Sequence, residues 1–194
     1  MLRHMRPIGD LTGFKVRLRE LRRSTDLQKC LAWVNDPEVT RFLKINPPVS
    51  EQQEEAFFAS AGASGDVVFA IETLEVAFIG TIGLRHIDHA NKLATSGTLI
   101  GDKNYWGQGF GRDAKMLLLD YAFDTLGLRR VKSSVLEYND RSLRMNRACG
   151  YRQEGVLRQE RFKEGRYWDE ILLAVMREEW EPIWERYRET GALA

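Results

Sequence analysis

Three glycines alternate through Trp106-Gly107-Gln108-Gly109-Phe110-Gly111-Arg112, between a strand-like stretch and the clearest helical pattern in the chain. That pattern is Ala114, Leu117, Leu118, Tyr121 and Ala122, at i, i+3, i+4, i+7 and i+8, the apolar stripe of an amphipathic helix. Gly127 is placed to end it. A turn from strand into helix aims several free backbone N–H groups at one point, and the helix dipole adds partial positive charge there. Glycine lets an anion approach the backbone with no Cβ in the way. The turn therefore suits a phosphate or pyrophosphate. Arg112 either adds a charged donor or points to solvent. A plain tight turn is the alternative reading.

Two kinds of phosphate turn are excluded by spacing. A P-loop needs a Lys followed by Ser or Thr after its second glycine, which this turn lacks. A dinucleotide fingerprint needs G-x-G-x-x-G and an acid after the next strand. Here the spacing is G-x-G-x-G, and the next strand reads Val131-Lys132-Ser133-Ser134-Val135. What remains is the shorter turn that grips coenzyme A. A second segment supports it: Asn139-Asp140-Arg141-Ser142 opens the helix after that strand and Gly150-Tyr151 closes it. Asn139 also reads as an N-cap and Gly150 as a C-terminal stop.

The rest of the chain alternates in the same manner. Lys15 to Leu21 is strand-like, with Arg17 and Arg19 on a wet face. Asp26 to Trp33 is helical. Pro37 starts a further helical stretch through Val39, Phe42 and Leu43, stopped by Pro47-Pro48. Ser50 and Gln53 form a capping box opening a helix to about Ala61. Strands are predicted over 67–72, 77–85, 94–100 and 131–136, a helix over 140–148, and strands near 155–162 and 167–176. A last helix carries Trp180, Ile183, Trp184 and Tyr187. This order predicts one mixed α/β domain.

Composition narrows the function. Lys plus Arg number 29 against 28 Asp plus Glu. A net charge of +1 gives no global pull toward nucleic acid or membrane. The basic lean of the first residues includes Arg3 and Arg6. Cys30 and Cys149 form no C-x-x-C pair, and three histidines offer no zinc pattern. No metal is expected. The thiols read as reduced, and the absence of an apolar span or signal-peptide core points to a cytoplasmic protein.

Tyr105 to Ala114 and Asn139 to Tyr151 together resemble motifs A and B of the GCN5-related N-acetyltransferases (GNAT). The resemblance is nearest to the branch of ribosomal-protein-alanine and diamine N-acetyltransferases. Leu18-Arg19-Glu20-Leu21, Trp33 to Val39, Glu154-Gly155, Gly165-Arg166-Tyr167 and Glu179-Trp180 fit the same branch, so the likeness covers about Lys15 to Trp180. It implies a single-domain fold over 15–180, with an N-terminal extension at 1–14 and a C-terminal helix and tail at 181–194. The sheet would be mixed, mostly antiparallel and about seven-stranded, with flanking helices and splayed central strands.

The resemblance also implies acetyl-CoA as co-substrate. The backbone of Leu99, Ile100 and Gly101 would pair with the pantetheine amides. The N–H groups of Gln108, Gly109, Phe110, Gly111 and Arg112 would hold the pyrophosphate, and Asn139 would bond the pantetheine arm. Three positions depart from the pattern. Trp106 replaces the Arg or Gln that opens motif A. Asn146 stands where many members carry a Tyr acid, and Thr95-Ser96-Gly97 where many carry a Glu base.

The expected activity is acetyl transfer to a primary amine, a protein N-terminus or a small amine, by direct attack. Alternatives are a non-catalytic acyl-CoA-binding regulatory domain, or the same fold using succinyl-CoA. An amine with a pKa near about 10.4 must lose a proton first. Ser142 is the candidate donor to the leaving sulfur and Glu160 the candidate base. Tyr167, Trp168 and Asp169, with Glu170 beside them, are candidates for the acceptor site. His86 and His89 read as surface residues. The aromatic tail and the branch together admit a homodimer.

Overall fold

The structure, a computed structural model, describes residues 11–61 and 65–192. Arg3 and Arg6 lie outside the described residues. The elements are β1 (Val16–Glu20), α1 (Arg23–Asn35), α2 (Pro37–Thr40), α3 (Glu51–Ser60), β2 (Val67–Thr73), β3 (Phe78–Asp88) and β4 (Leu93–Ile100). They continue with α4 (Phe110–Asp120), β5 (Arg130–Leu136), α5 (Asp140–Ala148), β6 (Arg152–Lys163), β7 (Arg166–Met176) and α6 (Arg177–Thr190). One sheet runs β1-β2-β3-β4-β5-β7-β6. Every neighbouring pair is antiparallel except β4–β5. The fold is the single α/β domain expected, with its seven-stranded, mostly antiparallel sheet.

The parallel pair is short. Only Leu93, Ala94 and Thr95 face Arg130, Val131 and Lys132. Beyond them Ser96–Ile100 pair only with β3, and Ser133–Leu136 only with β7. The two strands part and leave a gap in the middle of the sheet.

Both faces of the sheet are covered, in keeping with the period of two along a strand. Phe69 and Ile71 of β2 join the main core with α4 and α6, whereas Ala70 joins a smaller cluster with Cys30, Phe78, Trp33 and Phe58 under α1 and α3. Every residue from Asp113 to Asp120 is buried, so α4 is the central helix. Asp113 accepts backbone N–H groups from Phe14, Lys15 and Val16 at 3.2, 2.6 and 2.8 Å, and the hydroxyl of Tyr187.

Two expectations are corrected here. Arg19 does not lie on a wet face, because Asp26 of α1 packs against it, whereas the Arg17 side chain stays 43% exposed. Arg19 bridges Asp26 at 2.7 Å and Glu72 at 2.8 Å, and Arg17 pairs with Glu72 as well. The helix at Pro37 closes at Thr40, whose hydroxyl donates to the Asp36 carbonyl at 3.0 Å. Phe42 and Leu43 follow in i→i−3 turns, and Phe42 meets Trp106 edge-on and Tyr138 at a tilt. α6 runs through the boundary expected at residue 180, and Tyr187 beyond it is only 4% exposed.

Candidate active site

The gap between β4 and β5 opens into a cleft of about 1020 Å³. Thr95, Ser96, Gly97, Thr98, Leu99 and Ile100 all line it. Consecutive strand residues point to opposite faces, so a cavity lined by all of them passes through the sheet. One mouth lies under α4 and α5, the other under α1 and α3.

The glycine turn forms the first mouth. Asp102 caps the short turn at Lys103–Tyr105 by accepting the Asn104 N–H at 3.0 Å. Trp106 is pinned through its indole N–H to the Ile100 carbonyl at 2.7 Å. Gly107 and Gly109 have φ of 74° and 89°, the left-handed region that favours glycine. Arg112 donates its N–H to the Gly109 carbonyl at 3.1 Å. The N–H groups of Gln108, Gly109, Phe110 and Gly111 have no acceptor among the described residues. Four open donors at a helix N-terminus suit an anion. Lys15, from the segment before β1, adds a cation that the sequence reading missed. Its Nζ lies 5.3 Å over the Phe110 ring and its stem runs beside Gly109, as does Arg112.

The wall opposite β4 is α5. Asn139 caps it by accepting the Ser142 N–H at 3.1 Å. Asn146 then donates its Nδ2 to the Ser142 carbonyl at 2.8 Å and hydroxyl at 3.3 Å. A hydroxyl that accepts from Asn146 keeps its own hydrogen for another partner. The buried atoms Asn146 Oδ1 and Thr98 Oγ1 have no partner among the described residues, and Asn146 and Thr98 both line the cleft. Deeper in, Lys115 donates to Ser96 Oγ at 3.0 Å, and Ser96 shares a 2.8 Å hydrogen bond with Tyr151 and donates to the Lys132 carbonyl at 3.1 Å. Burial pushes the Lys115 ammonium down to about 8 and the Cys149 thiol up to about 12.

Arg141 of α5 lies over the Trp106 ring at 4.0 Å and the Phe42 ring at 5.0 Å. Lys44 ties the loop before α3 to β5 and β7 through Ser134 and Glu170, the latter at 2.6 Å. Glu54 of α3 lines the cleft and is 6% exposed. Burial raises its carboxyl above the ordinary range, and no hydrogen bond or ion pair opposes this among the described residues.

Of the expected site residues, Leu99, Ile100, Gly109, Gly111, Arg112, Asn139 and Ser142 come together around the cleft. Gly101 sits at its edge, its N–H given to the Ile79 carbonyl and its Cα against the Trp33 ring. The Gln108 side chain is exposed, and Phe110 packs edge-on against Tyr105. Glu160, Tyr167, Trp168 and Asp169 do not line the cleft; they lie on the β6–β7 hairpin. Glu160 is exposed, Tyr167 is 62% exposed, Trp168 packs at a tilt against Tyr138, and Asp169 accepts the Gln159 N–H at 2.8 Å. Glu170 is no free acid either. Burial alone would raise its carboxyl, but Lys44, Ser134 and Arg161 hold it down to about 2.

The opened sheet, the glycine turn at one mouth and the buried carboxyl at the other line one continuous cleft. Residues 15–152 match the family described as the acetyltransferase (GNAT) domain. The chain belongs to that family and is an N-acetyltransferase. It is 31% identical over 158 residues to N-acetyltransferase p20 of Bacillus licheniformis, spanning 78% of this chain and 86% of that one. Its fold is similar to that of the spermidine N-acetyltransferase of Vibrio cholerae in complex with CoA and spermine. The TM-score is 0.79 at 25% identity, over 86% of this chain and 98% of that one. A GCN5-related N-acetyltransferase from Brucella melitensis gives 0.76 at 26% identity, over 93% and 84%. Among the described residues no group of His, Cys, Asp or Glu converges as metal ligands would, and no helix is long and apolar enough to cross a membrane.

Proposed function

We propose that the chain transfers the acetyl group of acetyl-CoA to a primary amine by direct attack within the cleft. The observation that carries this is the continuity of the β4–β5 gap with the glycine turn. The open N–H groups of Gln108, Gly109, Phe110 and Gly111, with Lys15 and Arg112, suit a pyrophosphate. The backbone of β4 around Leu99 and Ile100, unpaired toward β5, suits the amides of a pantetheine arm. Asn139 stands beside the path of that arm, and Ser142 is positioned to give a proton to the departing thiolate. A thiol pKa near about 8.5 makes that donor modestly helpful rather than essential, and holding two reactants in register is worth roughly 7–11 kcal/mol.

The Vibrio cholerae relative bound CoA and spermine, which supports the same donor and an amine acceptor here. The motifs also favour the ribosomal-protein-alanine and diamine branch. The test is in two parts. Acetyl-CoA at micromolar to millimolar concentration should raise the melting temperature, and thiol release should follow addition of an amine. Binding without release from any amine would leave a non-catalytic acyl-CoA-binding domain. Faster release from succinyl-CoA would change the donor.

A further inference from the structure

We propose that Glu54 holds the ammonium group of the acceptor and takes its proton before the thioester is attacked, an inference that rests on the acetyl-transfer reading above. Glu54 is the single Asp or Glu among the described residues that line the cleft. It is 94% withdrawn from solvent by its 6% exposure, yet no cation or donor meets it. An unpaired buried carboxylate costs stability, and a ligand's ammonium is the counter-charge it lacks.

The surroundings supply no substitute. From α1, Cys30 faces it as a thiol that burial keeps protonated. Asp26 of the same helix is held by Arg19. From the end of β3, Arg85 and His86 line the same cavity without forming an ion pair with Glu54; Arg85 instead lies 5.3 Å over the Phe57 ring. Phe57, one turn on from Glu54, and Val34 make the adjoining wall apolar, a place for the body of an amine. Glu54 lies under α1 and α3, across the sheet from the anion turn, so an amine held there reaches the gap from the face opposite the donor.

The step balances as follows. The ammonium R–NH3+ gives one proton to the Glu54 carboxylate and becomes R–NH2. Its lone pair forms the N–C bond to the thioester carbonyl, the C–S bond breaks, and the bonding pair leaves on sulfur. The second proton of the attacking nitrogen ends on that sulfur as the free thiol, by way of Ser142. Glu54 returns its proton to solvent at the second mouth. The substrate class follows from charge: the other charged cleft residues include Lys44, Arg85, Arg141 and Arg144, so an acceptor with one ammonium fits better than a polyamine.

The experiment compares wild type with Glu54→Gln and Glu54→Asp, using alaninamide as a singly charged probe and spermidine as a polycation. Acetyl-CoA affinity should stay within about twofold in both variants, which also reports that they fold. For alaninamide, kcat/KM should fall at least 100-fold in Glu54→Gln and recover in part in Glu54→Asp. The wild-type profile should show an acid limb set by protonation of Glu54, and in Glu54→Gln that limb should move up toward the amine's own pKa, because the free amine must then form in solution. Wild type should prefer alaninamide to spermidine. Glu54→Gln with kcat/KM within threefold of wild type and an unchanged acid limb would overturn the proposal. So would failure of both amines to react and to bind, by calorimetry, to the CoA-saturated wild type, while acetyl-CoA binding survived. Loss of acetyl-CoA binding in wild type would instead sink the acetyl-transfer reading itself.

Discussion

Lys115 places its ammonium 3.0 Å from the Ser96 hydroxyl, wholly inside the protein and against the wall of the cleft. The Tyr151 ring face, 5.4 Å away, offers partial compensation, but no carboxylate among the described residues pairs with this lysine. Burial therefore lowers its pKa from 10.5 to about 8. Below pH 8 both folded and unfolded chains carry the proton, and the full cost of burying it is present. Between about 8 and 10.5 the unfolded chain binds more protons than the folded one, so stability rises with pH. Lys115→Met should stabilise the protein at pH 7 by about 1–3 kcal/mol. Urea denaturation at pH 7 and pH 9.5 measures this: the advantage of the variant should shrink at the higher pH. An advantage that is constant with pH would mean that packing, not charge, sets the difference.

Ser142 and Asn146 are one helical turn apart, and the amide of Asn146 directs the serine hydroxyl. Ser142→Ala should lower kcat about tenfold or more, with acetyl-CoA affinity little changed, because a thiolate is a tolerable leaving group. Asn146→Ala should give a smaller loss of kcat in the same direction. Pre-steady-state thiol release, which isolates chemistry from product dissociation, is the appropriate measurement. Equal rates for Ser142→Ala and wild type would remove the hydroxyl from the mechanism.

Glu170 is held by Lys44 at 2.6 Å and Arg161 at 3.0 Å. Its folded pKa, about 2 against an ordinary 4.5, means that its stabilising contribution is complete above about 4.5 and is lost as pH falls toward 2. Glu170→Gln should cost about 2 kcal/mol at pH 7, or roughly 4–8 °C in melting temperature for a chain of this size. The wild-type and variant melting curves should converge as the solution is acidified. Curves that stay parallel down to pH 3 would contradict the pairing.

The order of elements along the chain and the two motifs were legible because local rules and tertiary demands agree there. The capping box at Ser50 and Gln53, the cap at Asn139 and the stops at Gly127 and Gly150 all formed as their side chains dictate. Charge pairs over long separations were not legible. Arg19 with Glu72, and Lys44 with Glu170, meet only once the sheet is assembled, so a wet strand face and a free acid were the natural readings of each residue alone. Glu54 did leave a trace. With Phe57, Phe58 and Ala61 it recurs at i, i+3, i+4 and i+7, an acid on the stripe that α3 turns toward the protein. Glu160 was assigned by position along a strand, and a strand's alternation does not reveal that β6 is an exposed edge.

Gly109 and Gly111 are two residues apart and under different constraints, which a pair of alanine substitutions separates. At Gly109 the nearest atom to an added Cβ is Lys15 Cε at 3.6 Å, so there is room, but φ is 89°. An L-residue there costs about 1–2 kcal/mol, and relief of that strain turns the N–H groups of the anion site away from their common focus. Gly109→Ala should weaken acetyl-CoA binding about tenfold or more. At Gly111 the backbone is helical, and an added Cβ would meet Met145 Sδ at 3.2 Å and Ile100 Cγ1 at 3.4 Å. Met145 is flexible enough to yield, and alanine favours the helix, so Gly111→Ala should change stability by less than about 1 kcal/mol. Calorimetric titration with acetyl-CoA and thermal melts of both variants decide the matter. If Gly111→Ala lost more affinity than Gly109→Ala, close approach of the ligand to α4, rather than the left-handed turn, would be what the glycines provide.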